Sequence, residues 1–227
     1  RTIEIEISKK NTDMKTTILS IILFAVTLSI TAQTPSWSKK SSQSVFTLKT
    51  FDANGSLLSS TNGFFISESG EALSSFTPFK GAYRGVVIDT QGKEWPIESI
   101  IAANDMYDVA KFKVAVKKPT ALPVATAKAD QGASVWLMPY SAKKQPICTN
   151  GSISTAETFQ DSYAYYTIDM QSDEQQAGCP ILNDNGEVIG ILQPAADAKT
   201  TKSFAVSAPF AAGLRMQSFA VSAPFAA

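Results

Sequence analysis

The side chains here that could attack a carbonyl or carry a proton are serine, lysine, cysteine, tyrosine and carboxylates, because the 227 residues include no histidine. That absence removes Ser-His-Asp and Cys-His nucleophile systems, the common catalytic zinc sites and a histidine pH switch. Ser74 or Ser75 with Lys80 has the makings of a serine–lysine pair, yet both residue types recur along the chain and nothing singles these out. Asp105 and Asp108 are neighbouring carboxylates, for which a solvated loop is the more ordinary reading. Cys148 and Cys179 could form one disulfide in an oxidising compartment or stand as two buried thiols, and spacing alone leaves both open. No histidine or C-x-x-C accompanies them, so they make a poor metal pair. No metal site and no cofactor is expected.

Twenty basic and twenty acidic residues balance, and the lysines are scattered, so no nucleic-acid footprint is present. With 44% hydrophobic and 18% charged residues, the composition is that of a folded globular chain. Met14 and Lys15, an apolar run from Ile18 to Ile30, and then Thr31-Ala32-Gln33 have the pattern of a secretory signal peptide over residues 14–32, cleaved after Ala32, with an uncleaved membrane anchor as the alternative for which the run is short. Export to the periplasm or beyond the cell is the expectation, with no stable membrane span once the signal is removed. Residues 1–13 precede that start and are set apart from the fold.

From Ser44 onward the chain reads as short strands separated by turns. One series runs from Val45–Phe51 through Gly63–Ile66, Ala72-Leu73, Gly85–Asp89 and Trp95–Ile101 to Val109–Val116. Pro96 donates no hydrogen bond and suits a sheet edge or a strand start. Pro119 to Asp130 reads as a connector. The second series takes in Ala133–Met138, Gly151–Ile153, Tyr163–Ile168, Pro180–Leu182, Val188–Leu192 and Phe204–Ser207, with a strong turn at Asn183-Asp-Asn-Gly186. Tyr163, Tyr165 and Tyr166 suit strand packing better than a ligand platform, and the adjacent Tyr165 and Tyr166 must face opposite sides. No sustained 3.6-residue apolar period follows the signal, so helices should be few and short. Many short strands in two series predict an all-β sandwich or a pair of small barrels, with lobes placed at 41–118 and 133–214 and joined by 119–132. SFAVSAPFAA at Ser203–Ala212 recurs at Ser218–Ala227, which marks 215–227 as a duplicated or truncated tail expected to pack weakly.

Three stretches resemble the trypsin-like serine proteases, especially the bacterial high-temperature-requirement branch and related exported domains. Gly63-Phe-Phe-Ile66 with Ala72–Ala82 resembles the segment presenting the family's histidine; Asn104–Val114 resembles the segment bearing the aspartate. Gln175-Gln-Ala-Gly-Cys-Pro-Ile-Leu182 with Gly186–Gly190 resembles the nucleophile loop and the following strands. The resemblance implies a two-lobed double β-barrel. It sets Thr77 at the histidine position, Asp108 at the aspartate and Ala177 at the serine, with Gln175 and Cys179 replacing flanking glycines and Gly178 and Pro180 retained. Alanine has no attacking atom, and threonine does not accept and return a proton near neutral pH. Thr77-Pro78 suits an N-cap and first helical position, with Asp108 accepting a hydrogen bond from Thr77 or nearby amides.

The resemblance therefore implies a catalytically inactive exported domain that binds an extended peptide or protein, or serves as a module of a longer one. The amides of Gln175 and Ala177 would form an oxyanion-hole-like pair, Gly178 would belong to the same wall, and Phe204, Ala205 and Val206 would pair with the peptide backbone. The alternative is an exported endopeptidase with an altered mechanism, for which Cys179 is a poorly placed nucleophile. A third reading is a scaffold whose cleft is filled.

Overall fold

The computed structural model describes residues 34–142, 145–158, 164–194 and 202–215. The expected signal segment, Tyr163 and the second repeat copy lie outside the described residues. Among the described residues, twelve strands form two closed barrels. The first contains β1 (Val45–Phe51), β2 (Leu57–Phe65), β3 (Glu71–Ser74), β4 (Arg84–Ile88), β5 (Glu94–Asn104) and β6 (Val109–Val114). The second contains β7 (Ser134–Leu137), β8 (Thr149–Thr158), β9 (Ala164–Asp169), β10 (Pro180–Leu182), β11 (Val188–Leu192) and β12 (Lys202–Ser207). Around each barrel the neighbour order is the same, 1-2-3-6-5-4 and 7-8-9-12-11-10, with β1–β4 and β7–β10 as the closing pairs. Among the described residues the helices are one-turn 3₁₀ pieces, α1 (Ser38–Ser41) and α2 (Ala208–Gly213). None of them is long and apolar enough to cross a membrane.

Alternation along the strands divides the apolar residues between three cores. Phe65 points into the first barrel, where Phe46 lies 4.7 Å from it and Phe112 closes the cluster. Its neighbour Phe64 points the other way, joining Val45, Leu73 and Val109 against Leu182, Val188 and Val206 of the second barrel. The second barrel encloses Val135, Ile153, Tyr166, Ile168 and Ile181. Tyr166 is buried and its hydroxyl accepts from the Ala129 N–H, while Tyr165 on the opposite face stacks on Phe204. The connector crosses between the barrels: Leu122 N–H donates to the Phe65 carbonyl, and the Val188 N–H to the Pro123 carbonyl.

Pro96 is the third residue of β5, close to the strand start, and a closed wall offers it no edge. β8 runs well beyond the expected Gly151–Ile153, because Thr149, Asn150, Ser152 and Thr155 form a largely polar outer wall with few apolar alternations. Within the first repeat copy, β12 passes into α2, where Ser207 Oγ accepts from the Phe210 N–H and Pro209 sits in the first turn.

Candidate functional site

β3 ends at Ser74 and the chain turns through Ser75 and Phe76 into the 3₁₀ turn Thr77–Phe79. The Asp105–Asp108 turn between β5 and β6 faces it. Asp108 accepts from the Thr77 N–H at 2.6 Å through Oδ1, and its own carbonyl accepts from the Phe76 N–H at 3.2 Å. Thr77 is thus the first residue of the turn, one place later than the expected N-cap. Phe76 holds the cap position without a side-chain bond, and the distant Asp108 carboxylate satisfies the exposed amide instead. Asp108 holds a left-handed backbone with φ 47°, and its Oδ2 is buried with no partner among the described residues. Side chains that bond their own backbone make this conformation more accessible to aspartate than to most residues.

The nucleophile-like loop enters through a second 3₁₀ turn, Glu174–Gln176. Asp173 Oδ1 accepts from the Gln176 N–H at 3.1 Å and Gln176 Oε1 accepts from the Asp173 N–H at 3.0 Å, a reciprocal capping box. Ala177 follows, buried, and its N–H donates back to the Glu174 carbonyl at 3.3 Å. Of the expected oxyanion-hole-like pair of Gln175 and Ala177, the capped turn engages the Ala177 amide in this conformation. Gly178 has φ 77°, and its N–H donates to the Leu192 carbonyl at 2.9 Å.

Asn62 joins the pieces. Its Nδ2 donates to the Gln175 carbonyl at 2.5 Å, its Oδ1 accepts from the Tyr140 N–H at 2.9 Å, and its backbone N–H donates to the Ala177 carbonyl at 3.2 Å. Thr61 Oγ1 donates to the same Ala177 carbonyl at 2.7 Å, and Ser74 Oγ donates to the Asn62 carbonyl at 2.5 Å. Ser74 thus stands beside Gly178, while Thr77, three residues on, touches Asp108. Tyr140 Oη donates to the Asp89 carbonyl at 3.2 Å, and burial, then the Asp89 charge, raises its pKa.

Sequence reasoning passed over Asn62, Thr61 and Tyr140. A polar pair directly before the apolar Gly63–Phe65 run was the available sign for the first two, since both turn out buried within a strand.

Other candidates separate. Lys80 is ion-paired with Asp105, and its ammonium lies 5.5 Å from the Phe76 ring centre. Ser74 is committed to Asn62, and the buried Ser75 hydroxyl has no partner among the described residues, so no serine–lysine pair forms. Asp105 is exposed and salt-bridged while Asp108 caps the turn, which is loop chemistry rather than a shared carboxylate site. Of the two readings left open for the cysteines, the structure has separate thiols rather than a disulfide. Both cysteines are free thiols: Cys179 is sealed in the second-barrel core, whereas Cys148 packs at the margin of the inter-barrel cluster. Burial raises the Cys148 pKa to about 11 and drives that of Cys179 well upward, so neither is an activated nucleophile.

The strand-addition surface is corrected as well. Ala205 pairs with Leu192 on one side and Tyr166 on the other, and Val206 with Ile191 and Tyr165. Phe204 faces Thr167 and its carbonyl accepts from the Gln193 N–H. Barrel closure thus uses both edges of β12, leaving Phe204, Ala205 and Val206 no free ladder for an added peptide.

The family model described as trypsin-like peptidase domain matches residues 61–191. This chain belongs to that family. The matched stretch of the trypsin-like domain contains the Thr77–Asp108 contact, the Asn62 junction and the Ala177 turn. Among solved structures, the domain is similar to the inactive form of a serine-to-alanine mutant of Rv3671c from M. tuberculosis H37Rv. That match has a TM-score of 0.65 and 22% identity, covering 82% of this chain and 91% of the other. It is also similar to the active form of the Rv3671c protease from M. tuberculosis, with a TM-score of 0.64 and 21% identity, covering 76% and 79% of the two chains. At these identities the likeness is one of fold. No curated protein matches the chain in sequence.

Proposed function

We propose that the chain is a catalytically inactive, exported trypsin-like domain that binds an extended peptide or protein, or serves as a module of a longer protein. The observation that supports this most directly is the Ala177 position, where a buried methyl group stands in the capped turn with its amide bonded to Glu174. Acyl transfer requires an attacking atom and a group that shuttles its proton. At the positions that resemble the family's triad, the chain offers exposed Thr77, the capping Asp108 and Ala177. Because β12 has no open edge, recognition rests on exposed side chains around the site, among them Thr77, Asp173, Glu174 and Gln175.

The test incubates the purified full chain with fluorescein-labelled casein, reading anisotropy and fragment release together. Saturable binding without fragments is expected. Absence of saturable binding sinks the binding reading. Fragmentation that disappears on changing one side chain replaces it with the altered-mechanism endopeptidase. Export is tested separately by expressing the full sequence and sequencing the mature amino terminus, which should begin at Gln33 in the exported fraction; a chain retained inside the cell overturns it.

A further inference from the structure

Four asparagines in this chain precede a glycine: Asn54, Asn62, Asn150 and Asn185. With no side chain on the following residue, its backbone nitrogen can come close to the asparagine Cγ. Two of the four are held away from that approach. Asn62 is buried in β2 with Nδ2 and Oδ1 both bonded, and Asn150 lies in the β7–β8 ladder with Nδ2 donating to Ser134 Oγ and the Val135 carbonyl. The other two occupy matching turns. In Asp52–Ser56, Asp52 Oδ1 accepts from the Asn54 and Ser56 N–H groups at 2.9 and 2.8 Å, and the Gly55 N–H donates to the Asp52 carbonyl at 3.1 Å. In Asn183–Glu187, Asn183 Oδ1 accepts from the Asn185 and Glu187 N–H groups at 3.0 and 2.9 Å, and the Gly186 N–H donates to the Asn183 carbonyl at 3.0 Å. Gly55 and Gly186 share a left-handed backbone, with φ 83° and 78°.

Their surroundings differ. A Cβ added at Gly55 would meet no atom within 4 Å beyond its chain neighbours, and residues 53–58 are exposed. Gly186 is buried under the Trp37 side chain, whose Nε1 donates to the Asp184 carbonyl, while Asp184 Oδ1 accepts from Trp136. Each glycine nitrogen is engaged in its turn and is freed only when that turn opens locally, which a covered turn does less often. We propose that Asn54 is a site of covalent modification by deamidation, and that Trp37 shields its structural twin Asn185 from the same reaction. The Gly55 nitrogen gives its proton to base and attacks Asn54 Cγ. A new C–N bond closes a five-membered imide, the Cγ–Nδ2 bond breaks, and Nδ2 takes up a proton and leaves as ammonia. Water then opens the imide at either carbonyl, giving aspartate or isoaspartate, with no oxidation or reduction. A third copy of the turn, Asp89–Lys93, has exposed Gln91 before Gly92, and the longer side chain closes a six-membered ring far less readily.

The experiment ages the full chain in mildly alkaline buffer and follows the asparagine, aspartate and isoaspartate forms of each peptide by chromatography and mass. Asn54 should convert roughly tenfold faster than Asn185, with Asn62, Asn150 and Gln91 unchanged. In urea all four asparagines should convert at similar rates, which ties the selectivity to the fold. Trp37→Ala should bring Asn185 up to the rate of Asn54 while Asn62 and Asn150 stay unreactive. Equal rates at Asn54 and Asn185 in the unaltered chain overturn the proposal, as does a preference for Asn54 that survives in urea. A Trp37→Ala chain in which Asn185 stays slow also overturns it. So does one in which all four speed up together, because the cover then acts through global stability rather than on its own turn.

Discussion

At the scale of single residues, Asp108 and Gly178 carry different kinds of constraint. Asp108 works as a cap: Oδ1 meets the Thr77 amide, and the left-handed backbone turns β5 into β6. That contact was legible in the sequence because Asp108 and Thr77 sat at positions with recognisable neighbours. The direction of the Ala177 amide was not foreseen, although Asp173-Glu-Gln-Gln176 has the spacing of a capping box and carried the sign. Gly178 is constrained by space as well as by φ. A Cβ there would press on the Asn62 carbonyl and fall 2.8 Å from Ser74 Oγ. Gly178→Ala should therefore cost roughly 2–5 kcal/mol, combining left-handed strain with overpacking against backbone. Denaturant unfolding measures it, and an unchanged midpoint would contradict the packing described around Asn62.

At the scale of elements, strands with apolar alternation or bounding turns were readable and the polar ones were not. Val45–Phe51 was found at its observed bounds because Phe46, Leu48 and Thr50 point inward and Asp52–Gly55 ends the run. β8 was seen only around Ile153, its one fully enclosed apolar side chain. The cysteine question stayed open for a related reason: sequence separation does not tell which cluster a cysteine joins. The segment before β1 shows how a short element is secured by aromatic contacts. Trp37 lies edge-on to Trp136 at 6.4 Å, donates to the Asp184 carbonyl at 2.8 Å, and covers Gly186. Asp184 Oδ1 also accepts from Trp136 Nε1 at 2.8 Å. Trp37→Ala should lower stability by roughly 1–3 kcal/mol, less than for a fully enclosed tryptophan. Thermal unfolding gives the value; a change near zero would mean that the segment is not anchored there.

At the scale of the whole molecule, titration and topology have separate consequences. Burial raises the pKa of Tyr165 and Tyr166, as it does for Tyr140, and raises Cys148 to about 11. Between roughly pH 9 and 11 the unfolded chain releases protons that the folded one keeps, so the contribution of these groups to stability is fully present below that window and is lost as pH rises through it. Urea midpoints from pH 7 to 11 should decline only at the alkaline end, and a flat profile would contradict these burials. The double barrel was implied by the family resemblance, the strand series alone leaving a sandwich open, whereas the closing pairs β1–β4 and β7–β10 depend on contacts far apart in the chain. Closure leaves neither sheet an unpaired border on which foreign chains can template. Withdrawal of β12 would bare the flanks of β9 and β11 together, and a gap with two adjacent hydrogen-bonding borders is where fibril growth from this molecule would begin.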